Sequence, residues 1–177
     1  MKGWPDVAEA FRPPRVVAMP TTFRRKRNRL PLDAYRGARA CSLTLNCARR
    51  RPAFAEGGVV ESCIDILRSC SEKHGFEVVA YCFMPDHLHL LVAGGSGSDV
   101  LRFVKDFKQR TAYSYRRSNS AALWQKSYYD HVLRLEEEVR QVARYIVSNP
   151  VRGGLVEDVK DYPHSGSFVW GREIVEA

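Results

Sequence analysis

Two apolar runs separated by three residues constrain this chain most, because together they predict a β-hairpin. Residues 76–83 and 87–93 have the length of strands, and the short connection between them contains Pro85. Polar and apolar residues alternate at the start of the second run, so His87 and His89 are expected on one face of the strand. The aliphatic residues that alternate with them point to the other face, where helices can cover them.

Amphipathic segments stand on both sides of this hairpin. Residues 59–74 carry apolar side chains at helical spacing and stop before Gly75, a residue type that commonly ends helices. Residues 100–117 have a similar stripe and follow a glycine-rich loop, with Ser98 or Asp99 as the capping residue. Both segments are therefore predicted to be helices on the apolar face of the sheet.

Two more strands and a last helix complete the pattern. Residues 40–47 alternate, and residues 129–134 are predicted to form a fourth strand. A final helix begins near the acidic residues 136–138 and is predicted to end at Pro150. The fold class is therefore α+β: a ferredoxin-like β-α-β-β-α-β sheet with helices on one face, plus a C-terminal helix.

Length and composition indicate one domain in a reducing compartment. The 177 residues suit a single domain over residues 31–177, preceded by a basic, flexible arm over residues 1–30. No apolar run approaches the ~20 residues of a membrane span, and no secretory signal is recognisable. The five cysteines are odd in number and form no C-x-x-C pair. We therefore predict a cytoplasmic protein with no membrane partner.

The charge balance favours a polyanionic partner. Lys and Arg total 28 against 20 Asp and Glu, which gives a net charge of +8. Guanidinium groups pair with phosphate oxygens through two hydrogen bonds, so the bias towards arginine points to nucleic acid. The alternative is a solubilising charge without such a partner. The cluster at residues 24–29 fits either a phosphate contact or a solvated tail equally well.

His87 and His89 are candidate metal ligands. Two imidazoles on one face of a strand can converge on one cation, and neutral imidazole binds divalent transition metals. The alternative is a pair of surface histidines, because so short a pattern recurs by chance. A histidine-triad nucleotide hydrolase would need a third histidine at the position of Leu91. His131 is either a further ligand or a partner of Asp130.

Tyr145 is a candidate nucleophile on the final helix. Helical geometry places it beside the apolar stripe, with Asn149 one turn further on nearly the same side. A phenol has a pKa near ~10 and needs help to attack at neutral pH, which a divalent cation can give. The alternative makes Tyr145 an aromatic at the edge of the core and Asn149 a helix terminator. On chemistry alone, several other tyrosines remain competitors.

Taken together, these segments resemble the HUH single-strand DNA transposases, and most closely the REP-associated tyrosine transposases. The first motif, residues 83–91, has the sequence FMPDHLHLL, and the second, residues 145–156, has the sequence YIVSNPVRGGLV. Shorter similarities lie between and after them, so the resemblance covers roughly residues 40–167. Asp86 stands where asparagine is common in that family, and His164 where tryptophan is common.

The resemblance implies a mechanism and a site. His87 and His89 would bind Mg²⁺ or Mn²⁺, with Asn149 as third ligand, and Tyr145 would attack a phosphate of single-stranded DNA. A covalent 5′-phosphotyrosine would form and a 3′-hydroxyl would be released. A second 3′-hydroxyl would then reseal the strand at a palindromic hairpin repeat. The protein would act as a monomer or a homodimer.

Basic residues are the candidates for DNA contact, and each is equally explained as a solvated charge. They are Arg49, Arg50, Arg51, Lys105, Lys108, Arg116, Arg117 and Arg152. Trp124 either stacks on an unpaired base or packs in the core.

Two other functions compete with transposition. The first is a non-catalytic, domesticated regulator that binds hairpin DNA. The second is a metal-dependent phosphohydrolase of small nucleotides, which would turn over its substrate without a covalent DNA adduct.

Overall fold

The described part of the chain, residues 32–55, 58–133 and 136–171 of the computed structural model, contains five strands and four α-helices. The strands are β1 (Ala40–Asn46), β2 (Phe76–Met84), β3 (His87–Gly94), β4 (Tyr129–Leu133) and β5 (Ser165–Gly166). The helices are α1 (Val59–His74), α2 (Val100–Arg116), α3 (Glu136–Val147) and the single turn α4 (Asn149–Arg152). The predicted order of elements is confirmed, and the predicted arm, residues 1–30, lies outside the described residues.

All five strands belong to one antiparallel sheet in the order β4-β1-β3-β2-β5. The first four have the predicted ferredoxin-like arrangement, and the two-residue strand β5 extends the edge beside β2. β2 and β3 form the predicted hairpin, in which Met84 pairs with His87 and Cys82 with His89. Because β3 is the central strand, the two histidines lie inside the sheet and not at its edge.

Helix ends follow the predicted capping chemistry, with one correction. Gly75 ends α1 in the left-handed conformation at φ 68°, and the Asp99 side chain accepts a hydrogen bond from the backbone N–H of Arg102 at the start of α2. The prediction that Pro150 ends the final helix is wrong in detail. α3 already ends at Val147, and Pro150 lies in the first turn of α4, where its missing N–H costs no hydrogen bond. None of the described helices is both long and apolar enough to span a membrane.

The first face of the sheet is covered by α1 and α2, as predicted. The strand residues buried on this face alternate along β1 and β3: Cys41, Leu43, Leu45, Leu88, Leu90 and Val92. Trp124 belongs to the same core, is 9% exposed and donates its indole N–H to the Thr111 hydroxyl over 2.8 Å. The interpretation of Trp124 as a base-stacking residue is therefore wrong, because its ring is occupied in the core.

The second face is divided into two parts. Its apolar region lies beneath α3 and contains Val79, Ala80, Cys82, Met84, Leu91 and Leu133. The other part, which we call the polar corner, is formed where β4, β1 and β3 meet and is lined by Ser42, Thr44, Asn46, His87, His89, Tyr129 and His131. The predicted inner stripe of α3 is confirmed, since Ala143, Ile146 and Val147 are buried against the apolar region.

Candidate active site

The two histidines of β3 point into the polar corner and meet at their ring nitrogens. Nε2 of His87 lies 2.9 Å from Nε2 of His89, and the ring planes are nearly perpendicular at 83°. Two nitrogens bound at right angles to one cation, each about 2.1 Å from it, would lie about 3 Å apart. The spacing of the pair therefore fits two ligands of a single metal ion.

Each imidazole is held at its other nitrogen by a neighbouring side chain. Nδ1 of His87 lies 2.5 Å from the Asp86 carboxylate, and Nδ1 of His89 lies 3.2 Å from the Thr44 hydroxyl. A carboxylate accepts a hydrogen bond from Nδ1–H, so it leaves the lone pair of His87 on Nε2. A hydroxyl both donates and accepts, so Thr44 can hold either tautomer of His89. Such partners fix the orientation of metal-binding imidazoles.

Asp86 connects the histidines to the loop after β1. It is 5% exposed, and its second oxygen lies 3.3 Å from the guanidinium of Arg50, which also donates to the Asn46 side chain over 2.8 Å. Burial raises the pKa of Asp86, but the hydrogen bond and electrostatic effect of His87 and the charge of Arg50 outweigh it, so the pKa is lowered overall. Asp86 is therefore an anion that contacts both the His87 ring and the Arg50 guanidinium.

The loop that carries Arg50 has an uncommon backbone. Arg49 and Arg50 have φ angles of 58° and 55°, in the left-handed region that side chains other than glycine rarely adopt. The contacts of the Arg50 guanidinium with Asp86 and Asn46 help to hold this conformation. Strained backbone of this kind persists where surrounding contacts fix it, and here it lies beside the histidine pair.

His89 is kept neutral by its surroundings. Burial, together with the electrostatic effects of His87, Arg50 and Arg152, lowers the pKa of His89 to about 3, although Asp86 opposes the shift. Only the neutral ring has a free lone pair, so His89 is in the protonation state that metal binding requires at neutral pH.

Tyr145 lies on the outer side of α3, beside the apolar stripe as predicted. Its side chain is 50% exposed, and the guanidinium carbon of Arg152 lies 4.0 Å from the centre of its ring. The same Arg152 charge contributes to the lowered pKa of His89. Arg152, carried by α4, thus places a positive charge over the Tyr145 ring.

Asn149 is fixed at the junction of α3 and α4. Its amide nitrogen donates to the carbonyl oxygens of Tyr145 and Ile146 over 3.0 and 3.1 Å. These bonds occupy the amide nitrogen and leave the amide oxygen, the atom that could ligate a cation. Within the described residues no three or more His, Cys, Asp or Glu side chains cluster as a metal site.

Comparison with known proteins decides the family. The family described as "Transposase IS200 like" matches residues 41–149, more than half of the chain. This chain belongs to that family. The matched segment runs from β1 to Asn149 and so includes His87, His89 and Tyr145. The predicted resemblance is confirmed at the level of the family.

Relatives in three bacteria support the assignment. A Haemophilus influenzae protein is 31% identical over 106 residues, which are 53% of this chain and 60% of that protein. The REP-associated tyrosine transposase of Escherichia coli K12 is 30% identical over 94 residues, 51% of this chain and 53% of that one. The ISDra2 transposase TnpA of Deinococcus radiodurans is 32% identical over 111 residues, 58% of this chain and 78% of that one. The chain thus spans little more than half the length of the first two relatives.

A solved structure supports the fold. A REP-associated tyrosine transposase bound to a REP hairpin superposes with a TM-score of 0.65 at 22% identity, over 79% of this chain and 81% of that one. The α+β fold class predicted from the sequence is therefore confirmed.

The cations predicted to contact DNA fall into two groups. Arg49, Arg50 and Arg51 lie in the loop after β1, where Arg50 contacts Asn46 and Asp86, and Arg152 lies over the Tyr145 ring. Lys105, Lys108, Arg116 and Arg117 belong to α2 or its end, on the first face of the sheet. Nζ of Lys108 donates to the carbonyl oxygens of Gln125 and Lys126, so part of its role is structural. DNA contact by any of the eight remains a prediction.

His131 and Thr44 differ from what the sequence suggested. Asp130 accepts a hydrogen bond from the Tyr35 hydroxyl and lies on the opposite face from His131, so the alternative that paired His131 with Asp130 is wrong. His131 also joins no metal-binding cluster of the described residues. Thr44 was missed, although the alternation of β1 would have placed it on the polar side. Its contact with His89 depends on the register between β1 and β3, which local sequence does not give.

Proposed function

We propose that this protein cleaves and rejoins single-stranded DNA at hairpin repeats, with Tyr145 as nucleophile beside a divalent cation. The observation that carries the proposal is the 2.9 Å convergence of the His87 and His89 Nε2 atoms. Tyr145 is half-exposed on α3, with the Arg152 guanidinium over its ring. Family membership supports a transposase. The mechanism, the metal and the hairpin substrate are our proposals.

His87 and His89 would hold the cation, with the amide oxygen of Asn149 as third ligand. Mg²⁺ or Mn²⁺ bound there would polarise the phosphate and neutralise charge that develops on its oxygens. Asp86 and Thr44 orient the two rings, so little reorganisation is needed on binding. Since Asp86 stays ionised, it adds a negative charge close to the site, which favours a cation there.

Tyr145 would supply the nucleophile. Its phenol oxygen loses a proton and bonds to phosphorus, while the bond from phosphorus to the 3′ oxygen breaks. The 3′ oxygen takes up a proton and leaves as a 3′-hydroxyl, and the 5′ phosphate stays on the tyrosine. The guanidinium of Arg152, 4.0 Å from the centre of the ring, would lie close to the attacked phosphate. A second 3′-hydroxyl reverses the step, so the bond energy is conserved and no nucleotide cofactor is needed.

The proposed substrate rests on charge and on one solved relative. The net charge of +8 and the arginines around the polar corner suit a phosphate backbone. The structurally similar transposase was solved bound to a REP hairpin, and we extend that substrate class to this chain. Action as a monomer or a homodimer, and the cytoplasmic location expected from the sequence, stay predictions.

The test is a covalent adduct assay. Wild type, Tyr145→Phe and the control Tyr113→Phe are incubated with labelled hairpin DNA that carries single-stranded flanks, with Mg²⁺, Mn²⁺ or EDTA. Tyr113 is a suitable control because it is 74% exposed and lies on α2. Wild type and Tyr113→Phe should form a denaturant-resistant adduct with metal, and Tyr145→Phe should not.

Three other results would contradict the proposal. An adduct in Tyr145→Phe would assign the nucleophile elsewhere. Hairpin binding without any adduct or strand cleavage would favour the non-catalytic regulator. Metal-dependent hydrolysis of small nucleotides with no adduct would favour the phosphohydrolase.

A further inference from the structure

An exposed tyrosine lies in the same row of cross-strand pairs as His89. Tyr129 of β4 is paired with Thr44 of β1, and Thr44 is paired with His89 of β3. Directly paired residues in antiparallel strands point to the same face, and the hydrogen bond between Thr44 and His89 shows which face this is. Tyr129 therefore borders the polar corner, two strand spacings, or about 10 Å, from His89.

The Tyr129 ring takes little part in the core. It is 72% exposed, whereas the neighbouring Tyr128 points to the other face and packs against the main core. In the next row, His131 is also exposed and Ser42 is half-buried, so this edge of the corner is polar and accessible. One row further, Leu133 is buried beneath α3. The Tyr129 ring is thus exposed just beyond the part of the sheet that α3 covers.

The side chains of the polar corner indicate which kind of ligand would bind there. Arg50, which pairs with Asp86 beside the histidines, suits an anionic phosphate, while Tyr129 offers an apolar, aromatic surface further out. A single-stranded nucleotide combines both features, a charged phosphate and an unpaired base with a π-face. A base in a duplex is stacked on its neighbours and cannot lie against the ring.

We propose that Tyr129 is a stacking subsite for one unpaired base next to the phosphate held at the histidine pair. The inference deepens the proposed function and rests on it, since it supposes single-stranded DNA in the polar corner. Stacking uses the ring and not the hydroxyl, so phenylalanine should replace Tyr129 and alanine should not.

The experiment measures binding, so that it does not depend on cleavage. In a Tyr145→Phe background without metal, affinity is measured for a hairpin with single-stranded flanks and for the same hairpin with blunt ends. Tyr129→Ala should bind the flanked hairpin about 10-fold more weakly and the blunt hairpin unchanged. Tyr129→Phe should bind as tightly as the parent, the Tyr145→Phe protein without a second substitution. Tyr113→Ala should also bind as tightly, since Tyr113 is an equally exposed tyrosine on α2.

Abasic substitutions then locate the base. The penalty of Tyr129→Ala should vanish when one particular flanking position is abasic and persist at the other positions. Equal affinity of Tyr129→Ala and the parent, an equal loss on blunt DNA, or an equal loss in Tyr129→Phe would overturn the subsite. If the parent binds flanked hairpins but wild type forms no Tyr145 adduct, the proposed mechanism fails while this comparison still decides the role of Tyr129.

Discussion

The apolar region and the polar corner are built from the same strands, but the first packs against α3 and the second carries the histidine pair. Along the same face of β3, His87 and His89 are followed by Leu91, which is fully buried beneath α3. Along β4, exposed Tyr129 and His131 are followed by buried Leu133. The boundary lies where α3 stops covering the sheet, and Tyr145 projects from the outer side of that helix. Substitutions on the two sides should therefore separate chemistry from stability.

The largest effect is expected in the polar corner. His89→Ala removes a proposed metal ligand, and we expect adduct formation to fall on the order of 10³-fold, since cation stabilisation contributes several kcal/mol. The melting temperature should change little, because a half-buried imidazole contributes less to the core than a leucine does. Gel-based adduct rates and thermal melting check both halves of this prediction. A His89→Ala variant with a lower melting temperature and an unchanged rate of adduct formation would contradict this prediction.

The reverse result is expected two residues further along β3. Leu91→Ala should destabilise the fold by about 3 kcal/mol, because the site is fully buried and a cavity would remain. Denaturant unfolding measures this loss. At a temperature where the variant is still folded, its adduct rate should stay within a few-fold of wild type. A collapse of the rate in the folded variant would mean that the two regions are not separable.

Asp86 should have an intermediate effect, through metal affinity. Asp86→Ala removes the partner of His87 and leaves Arg50 unpaired, so we expect about 10- to 100-fold weaker binding of Mn²⁺. Asp86→Asn keeps a hydrogen-bond acceptor and loses the charge, so its defect should be smaller. Titration of adduct formation with Mn²⁺ checks the order wild type, Asn, Ala. Equal affinities for all three would remove Asp86 from the site.

The smallest effect concerns the pH dependence of the metal-free protein. The pKa of His89 is about 3 in the folded chain and near 6.5 in the unfolded chain, so below pH 6.5 the unfolded chain binds the extra proton. Stability from the neutral ring is thus complete above pH 6.5 and falls as the pH drops towards 3. Between pH 6 and 4 wild type should lose up to about 1.4 kcal/mol per pH unit more than His89→Ala. Parallel pH profiles in chemical unfolding would contradict the assignment.

Sequence patterns predicted the framework because those patterns are local. The alternation of His87 and His89 with leucines gave the strand and its faces, and Gly75 gave a helix end. The arrangement of the site depends on contacts between residues far apart in sequence, which no local pattern contains. The contact of Thr44 with His89 depends on strand register, and the left-handed Arg50 depends on its partners Asn46 and Asp86. Burial of Trp124 likewise depends on Phe54 and Phe107, which are far apart in sequence.

The central claim is that Tyr145 becomes covalently linked to DNA, and peptide mapping tests it most directly. Trypsin cuts after Arg144 and Arg152, so residues 145–152 form one peptide with a single tyrosine, while Tyr128 and Tyr129 share the peptide 127–134. After reaction with hairpin DNA and nuclease trimming, mass spectrometry should find the nucleotide adduct on peptide 145–152. An adduct on peptide 127–134, or on any other tyrosine, would contradict the account.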